Sequence, residues 1–176
     1  MTTITDIHGE PIDPVWAAEF RGFFLGEGSL EIGQITHNQT VKRDDKMYRY
    51  TNVELRPRAR LIQRDDNRAI LDAVQARLGG NITKHGRHHT VSPVNGMTYS
   101  SNPTVAWYVM SKEGVQRVLD LLKGGVLPHG KLREVALLEE FLAIRPRPGH
   151  KLTDAVRARS WELKAEIEAL RKYQVG

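Results

Sequence analysis

A carboxylate ends a segment of this chain that is poorly suited to be an ordinary helix. Residues 14–28 have the composition of a helix, yet Gly22 and Gly26 lie four residues apart on one helical face, where each costs about 1 kcal/mol relative to alanine. Glu27 stands in the last turn, where the helix dipole disfavours a negative charge by about 0.3–1 kcal/mol. Glycines on one face suit close approach of another helix backbone. Local rules broken together in this way point to a functional site.

Arginines occupy every second position of a later segment. From residue 47 to 63 the alternation is that of a strand with one apolar side, and the opposite side carries Glu54, Arg56, Arg58 and Arg60. Arginines at this period are well placed to contact phosphates and guanine edges of a nucleic acid. A solvated strand face is the alternative. The formal net charge of +5 also favours a polyanionic partner, although charge alone is a weak signal.

Three histidines, His85, His88 and His89, form a further polar cluster. Imidazoles can bind a metal ion, but the segment offers no further convincing ligands, so contact with a nucleic acid or plain exposure is the better interpretation. The chain contains no cysteine, which excludes a disulfide framework and a thiolate metal site. No stretch approaches the roughly 18 consecutive apolar residues of a membrane-spanning helix, so we expect a soluble intracellular protein with no membrane partner.

The elements that must position these residues alternate between helices and hairpins. An N-terminal arm over residues 1–13 is expected to precede a helix that Asp13 caps and Pro14 begins. The order predicted after that helix is a strand over 29–36, a polar connection over 37–46, a strand over 47–63, a helix over 67–78, strands over 81–90 and 104–110, and helices over 111–124, 131–144 and 151–174. We therefore predict one α+β domain over residues 1–176, with four strands joined by hairpins.

Residues 20–28, Phe-Arg-Gly-Phe-Phe-Leu-Gly-Glu-Gly, resemble the nine-residue signature of the LAGLIDADG homing endonucleases, in which a helix of aliphatic residues and glycine ends in an acid flanked by small residues. The order of elements from about residue 16 to 144 is also similar to the α-β-β-α-β-β-α fold of that family. The resemblance implies a curved four-stranded antiparallel sheet that lies in the DNA major groove, signature helices that pair at a two-fold interface, and extra helices at the C-terminus.

The resemblance also implies roles for individual residues. Glu27 would bind a divalent metal ion together with the backbone carbonyl of Gly26, and the expected ion is Mg²⁺, for which Mn²⁺ may substitute. Gln63 matches a position that orients solvent. Lys131 matches a lysine that stabilises the phosphorane-like transition state, which a lysine ammonium can do by charge-assisted hydrogen bonds to a phosphate. No organic cofactor is expected.

The same resemblance predicts two surfaces. Gly22, Phe23 and Gly26 would form the interface between paired signature helices. Two positions depart from the family pattern there, because Leu25 stands where the family often has aspartate and Arg21 stands where a small residue is common. The residues expected to contact double-stranded DNA are Glu31, Arg56, Arg58, Arg60, His85 and Arg87.

One signature motif supplies one acid, and cleavage of two DNA strands requires two. The resemblance therefore implies a homodimer that acts as a site-specific double-strand DNA endonuclease at a long, near-palindromic site. A non-catalytic nucleic-acid binder on the same fold, either an RNA maturase or a DNA-binding regulator, is the alternative hypothesis. A basic α+β domain with a fortuitous motif is the third.

Overall fold

The structure is a computed structural model that describes residues 3–87, 89–91, 94, 96–145 and 152–172. Helices α1 to α5 span Pro14–Glu27, Arg68–Leu78, Lys112–Lys123, His129–Ile144 and Asp154–Lys172. Strands β1 to β6 span Gly28–Arg43, Lys46–Arg64, Asn81–His85, His89–Val91, Thr98–Ser100 and Thr104–Val109. Within the described residues, no helix is long and apolar enough to cross a membrane.

Four strands form one curved antiparallel sheet in the order β1-β2-β6-β3. The ladder between β1 and β2 begins at the pair Gly28 and Leu61 and continues to the pair Arg43 and Lys46. Strand β6 pairs with β2 on one side and with β3 on the other. The predicted α+β fold with a four-stranded antiparallel sheet is therefore confirmed.

The prediction of a polar connection over residues 37–46 is wrong, because β1 and β2 run straight through it. Only Asp44 and Asp45 form the turn, with φ angles of +47° and +60°, which is the backbone of a two-residue hairpin turn that aspartate tolerates. All residues from 38 to 53 are exposed. This part of the hairpin extends beyond the core, so its strands lack the alternation of buried and exposed residues by which a strand is recognised.

The predicted strand over residues 81–90 is also wrong in its extent. Strand β3 ends at His85, and β4 begins at His89 and pairs with β5 in a separate two-stranded sheet. Gly86 lies directly after β3, and glycine is a poor strand residue. The expected partner of β3 is nevertheless correct, because β3 pairs in antiparallel register with β6, from Asn81 opposite Tyr108 to His85 opposite Thr104.

The helices cover one face of the sheet and enclose the core. Along β2 the side chains of Leu55, Ala59 and Leu61 are buried, whereas the alternate positions face away from the helices. Helix α5 packs against α4 and β1 and buries Leu163 and Ile167. The sheet therefore has one face that is covered and one that is open.

Candidate active site and nucleic-acid interface

The junction between α1 and β1 holds Glu27 in place. Helix α1 begins at the cap Asp13, whose side chain accepts hydrogen bonds from the amides of Val15 and Trp16 at 2.9 and 3.0 Å. The helix ends at Gly28, whose backbone is already extended. A Cβ atom on Gly28 would lie 2.5 Å from the ring of the buried Phe24, so only glycine allows the chain to pass from helix to strand here. Glu27 is thereby fixed at the end of the sheet.

The carboxylate of Glu27 is exposed. Across the described part of the chain it makes no ion pair and no hydrogen bond, whereas Glu31, Glu54 and Glu134 are each paired with a cation. An unpaired acid at the carbonyl end of a helix lies in a region of negative potential. Such a position favours the approach of a cation.

Gln63 lies near the same end of the sheet. It stands two residues past Leu61, the partner of Gly28 in the ladder, and it pairs with Val105 of β6. Its side-chain oxygen accepts a long hydrogen bond of 3.4 Å from the side-chain nitrogen Nδ2 of Asn67. Gln63 as a whole is half-buried.

Lys131 reaches the junction from the first turn of α4. Its Nζ atom lies 3.4 Å from the carbonyl oxygen of Gly28, the residue that follows Glu27, and 2.8 Å from Oε2 of Glu134. The structure thus brings together the ends of two elements that are about 100 residues apart in the chain. Sequence reasoning did not single out Glu134, although its spacing of three residues from Lys131 on one helix is the signal that could have revealed it.

The oxygen donors at this junction suit a magnesium ion in part. A carboxylate and a backbone carbonyl, such as those of Glu27 and Gly26, are ligands of the kind that Mg²⁺ prefers, and the ion usually completes its shell with water and substrate phosphates. Among the described residues, no group of three or more His, Cys, Asp or Glu side chains could hold a metal ion. Glu27 and the Gly26 carbonyl would therefore supply only part of the ligand shell of such an ion.

The structure describes only part of the histidine cluster. The ring of His85 lies 3.4 Å from the hydroxyl of Thr83, and its register opposite Thr104 places it on the open face of the sheet. Arg87, just beyond β3, is exposed. His88 and the side chain of His89 lie outside the described residues.

The face of α1 that carries the two glycines is open to solvent. Ala18, Gly22 and Gly26 follow one another at intervals of four residues and are all exposed. A Cβ atom on Gly22 or Gly26 would meet no heavy atom within 4 Å. Phe23, beside them, is half-buried and packs partly against the core. Packing within the described chain therefore does not explain why these positions are glycine.

Arg21 points away from this open face. Its Nε atom donates a 3.1 Å hydrogen bond to the carbonyl of Leu121 in the last turn of α3, and its guanidinium group lies against Gly124 and Gly125. A cation at the C-terminal end of a helix is favoured by the dipole. The arginine that departs from the family pattern thus stabilises its own chain and leaves the glycine face free of a bulky side chain.

The open face of the sheet carries the alternating arginines as the sequence predicted. Arg56 pairs with Glu54 at 2.8 Å, and Arg58 pairs with Glu31, which is directly opposite it in the ladder. Arg60 makes no ion pair with any described residue. The hydrogen bond from Arg56 holds the pKa of the Glu54 carboxyl below its usual value, and the nearby charge of Arg56 adds to the effect.

Two arginines from helix ends also reach the β1–β2 hairpin. Arg145, just after α4, donates to the carbonyl of Leu55 and lies 3.4 Å from Glu54. Arg171, in the last turn of α5, donates to the carbonyl of Leu30 and lies 3.3 Å from Glu31. Sequence reasoning missed both, because the partners are 90 to 141 residues apart and no local pattern links them.

Tyrosines extend the open face toward the tip of the hairpin. Tyr48 and Tyr50 stack with ring centroids 6.4 Å apart, and both are more than 40% exposed. They share the strand parity of the arginines on β2 and therefore the same face. They lie in the strand predicted over 47–63, but sequence reasoning did not single them out.

Comparison with known proteins identifies the fold. No family model and no curated protein matches the chain. The structure of a homing endonuclease, I-TnaI, superposes with a TM-score of 0.60 at 17% identity over 92% of this chain and 95% of that one. The homing endonuclease I-CvuI in complex with its target gives 0.57 at 18% identity, over 89% and 82%. The LAGLIDADG homing endonuclease I-GzeII in complex with a DNA target gives 0.51 at 18% identity and matches 91% of this chain but only 44% of that one. At these identities the similarity establishes that this chain has the fold of the homing endonucleases.

Proposed function

We propose that this protein is a site-specific double-strand DNA endonuclease that acts as a homodimer. The observation that carries the proposal is the position of Glu27, an exposed acid without a partner among the described residues. It lies where helix α1, whose glycine face is exposed, meets the sheet whose open face carries the arginines. The known structures of the same fold are described as homing endonucleases, two of them with their DNA targets.

The open face of the sheet is the surface proposed for DNA. The major groove admits a two-stranded β-ribbon, and the exposed part of the β1–β2 hairpin over residues 38–53 is such a ribbon. Arg56, Arg58, Arg60 and His85 would contact phosphates or bases, with Arg87 beyond the end of β3. Glu31 is expected to act differently from the prediction of direct contact, since its carboxylate is shared by Arg58 and Arg171 and would orient those cations.

The proposed chemistry takes place at the end of the sheet. Glu27 and the carbonyl of Gly26 would hold a divalent ion, Mg²⁺ or Mn²⁺, which when bound activates water and stabilises charge on phosphate oxygens. Gln63 would orient the attacking water through its amide. Lys131, held beside the Gly28 carbonyl, would offer its ammonium group to the phosphate as negative charge develops.

A second copy of the chain would complete the site. One chain contributes one such acid, and this chain matches less than half the length of I-GzeII. The glycine face of α1 is the surface through which two copies would approach, with Gly22, Phe23 and Gly26 in contact. A two-fold dimer would recognise a near-palindromic target, because each sheet would contact one half of it.

The test begins from a library of randomised DNA duplexes. Duplexes that bind the protein in Ca²⁺ are recovered, sequenced and then incubated with the protein in Mg²⁺ or Mn²⁺. We expect enrichment of near-palindromic sequences and cleavage of both strands. Glu27→Gln should retain binding while the cleavage rate falls by more than about 100-fold, the scale for loss of one charge-stabilising group.

The matched control is Glu113→Gln, which changes another exposed acid, in the first turn of α3. This variant should cleave like the wild-type protein. Tight binding without cleavage in either metal ion would instead identify a non-catalytic nucleic-acid binder. Failure to enrich any sequence would reject both the endonuclease and a sequence-specific DNA-binding regulator.

A further inference from the structure

Glu134 is a buried charge. Its side chain is 2% exposed, and the other buried polar side chain in the described part of the chain is that of Ser160, a neutral hydroxyl that donates to the carbonyl of Val156. An unpaired carboxylate in such a place would be strongly destabilising. The ion pair with Lys131 compensates it.

The pair joins α4 to the start of β1. Glu134 Oε2 lies 2.8 Å from Lys131 Nζ, and the same nitrogen lies 3.4 Å from the Gly28 carbonyl oxygen. The lysine side chain is only 12% exposed. Its ammonium group therefore has little freedom and stays at the residue that follows Glu27.

A buried ion pair of this kind is weak evidence for a gain in stability. Replacing a buried ion pair by apolar residues of similar volume is often neutral or stabilising, because both charges must lose their water. The other acids of α4 follow a different pattern, since Glu139 and Glu140 pair with cations at the surface. Glu134, in contrast, is buried and binds the ammonium group of Lys131 beside the Gly28 carbonyl.

We propose that Glu134 is a positioning residue, whose buried carboxylate holds the ammonium group of Lys131 at the Gly28 carbonyl before DNA binds. This inference rests on the proposed function. A charge that stabilises a transition state is most effective when it is already oriented and needs no reorganisation during the reaction. Glu134 provides that orientation without itself contacting DNA.

The test is a double-mutant cycle on the full-length protein, with single-turnover cleavage and DNA affinity as separate measurements. Glu134→Gln keeps the size of the side chain and removes its charge. We expect the cleavage rate to fall about 10- to 100-fold, by analogy with the loss of a partner that orients a metal ligand, with DNA affinity unchanged. In a Lys131→Met background, where the buried carboxylate has lost its partner, the same change should raise the stability of the protein and should not lower the cleavage rate of the folded protein further.

Glu139→Gln is the matched control, because it removes another paired acid from α4, and it should cleave like the wild-type protein. If Glu134→Gln does not fold at the assay temperature, Glu134→Asp keeps the charge but withdraws it, and a similar loss of rate is expected. This inference is overturned, and the proposed function left intact, if the wild-type protein cleaves DNA and Glu134→Gln cleaves it at the same rate. It is also overturned if Glu134→Gln lowers the cleavage rate equally in the wild-type and Lys131→Met backgrounds. A wild-type protein that binds DNA and never cuts it overturns both.

Discussion

Replacing Gly22 by alanine is expected to stabilise the folded monomer and to weaken dimerisation. A Cβ atom at this position meets no heavy atom within 4 Å, so the chain itself has room for the methyl group. Alanine is the better helix former by about 1 kcal/mol in a helix interior, and Gly22 lies well inside α1. The monomer should therefore gain about 1 kcal/mol, which raises Tm by roughly 2–4 °C for a chain of this size.

The same change should weaken the proposed dimer. Where two α1 helices meet through their glycine faces, an added methyl group overpacks the contact at a cost of about 1–3 kcal/mol. Two-fold symmetry introduces the change twice in the interface. The total of at least about 2 kcal/mol corresponds to a rise in the dimer Kd of roughly 30-fold or more.

Sedimentation equilibrium measures the dimer Kd, and urea unfolding at several protein concentrations separates monomer stability from association. Ala136→Gly, at an exposed position of α4, calibrates the helix term, since it should lose about 1 kcal/mol without changing the dimer Kd. A Gly22→Ala protein that is more stable and dimerises as tightly as the wild-type protein would refute the assignment of the glycine face to the interface.

Three further predictions concern charged side chains. The hydrogen bond from Arg56 lowers the pKa of Glu54 in the folded state. Its contribution to stability is therefore complete above the unfolded pKa near 4.5 and is lost as the pH falls through the folded pKa. Urea unfolding from pH 7 downward should show that the stability of Glu54→Gln depends less on acid than that of the wild-type protein, and an unchanged profile would contradict this. Arg21→Met removes a hydrogen bond from a charged group to Leu121 and should lower the free energy of unfolding by about 1.5–3 kcal/mol; a Tm equal to that of the wild-type protein would argue against it. Arg60→Ala should weaken DNA binding and reduce the salt slope of log K by about 1 for each chain, whereas Arg21→Met should leave the slope unchanged; equal slopes for the two variants would remove Arg60 from the DNA surface.

Local features of the sequence were sufficient to predict helix α1 and the buried face of strand β2. Asp13, Pro14 and Gly28 predict helix α1 because capping, a fixed φ angle and close packing act within a few residues. The alternation along β2 predicts which of its faces is buried, because side chains of a strand point to opposite sides in turn. Together with the order of the other helices and strands, these features predicted the α+β fold that the structure confirms.

Features that depend on distant residues could not be predicted in this way. The hairpin tip around Asp44 and Asp45 lies beyond the core, so no burial pattern marks its strands. The partners of Arg145 and Arg171 are strand carbonyls and carboxylates at sequence separations of 90 to 141 residues, and only the packing of α4 and α5 on the sheet brings them together.

Some features of the candidate site also follow from the sequence alone, and others depend on the tertiary structure. The sequence by itself determined that an acid follows a glycine-bearing helix and that arginines line one face of a strand, because helical and strand periodicity are properties of consecutive residues. Only the tertiary structure decided that Glu27 has no partner among the described residues, that Arg21 turns toward α3, and that Lys131 lies between the Gly28 carbonyl and the Glu134 carboxylate. Burial and pairing of charges depend on which surfaces meet in space, and that is a property of the packed chain as a whole.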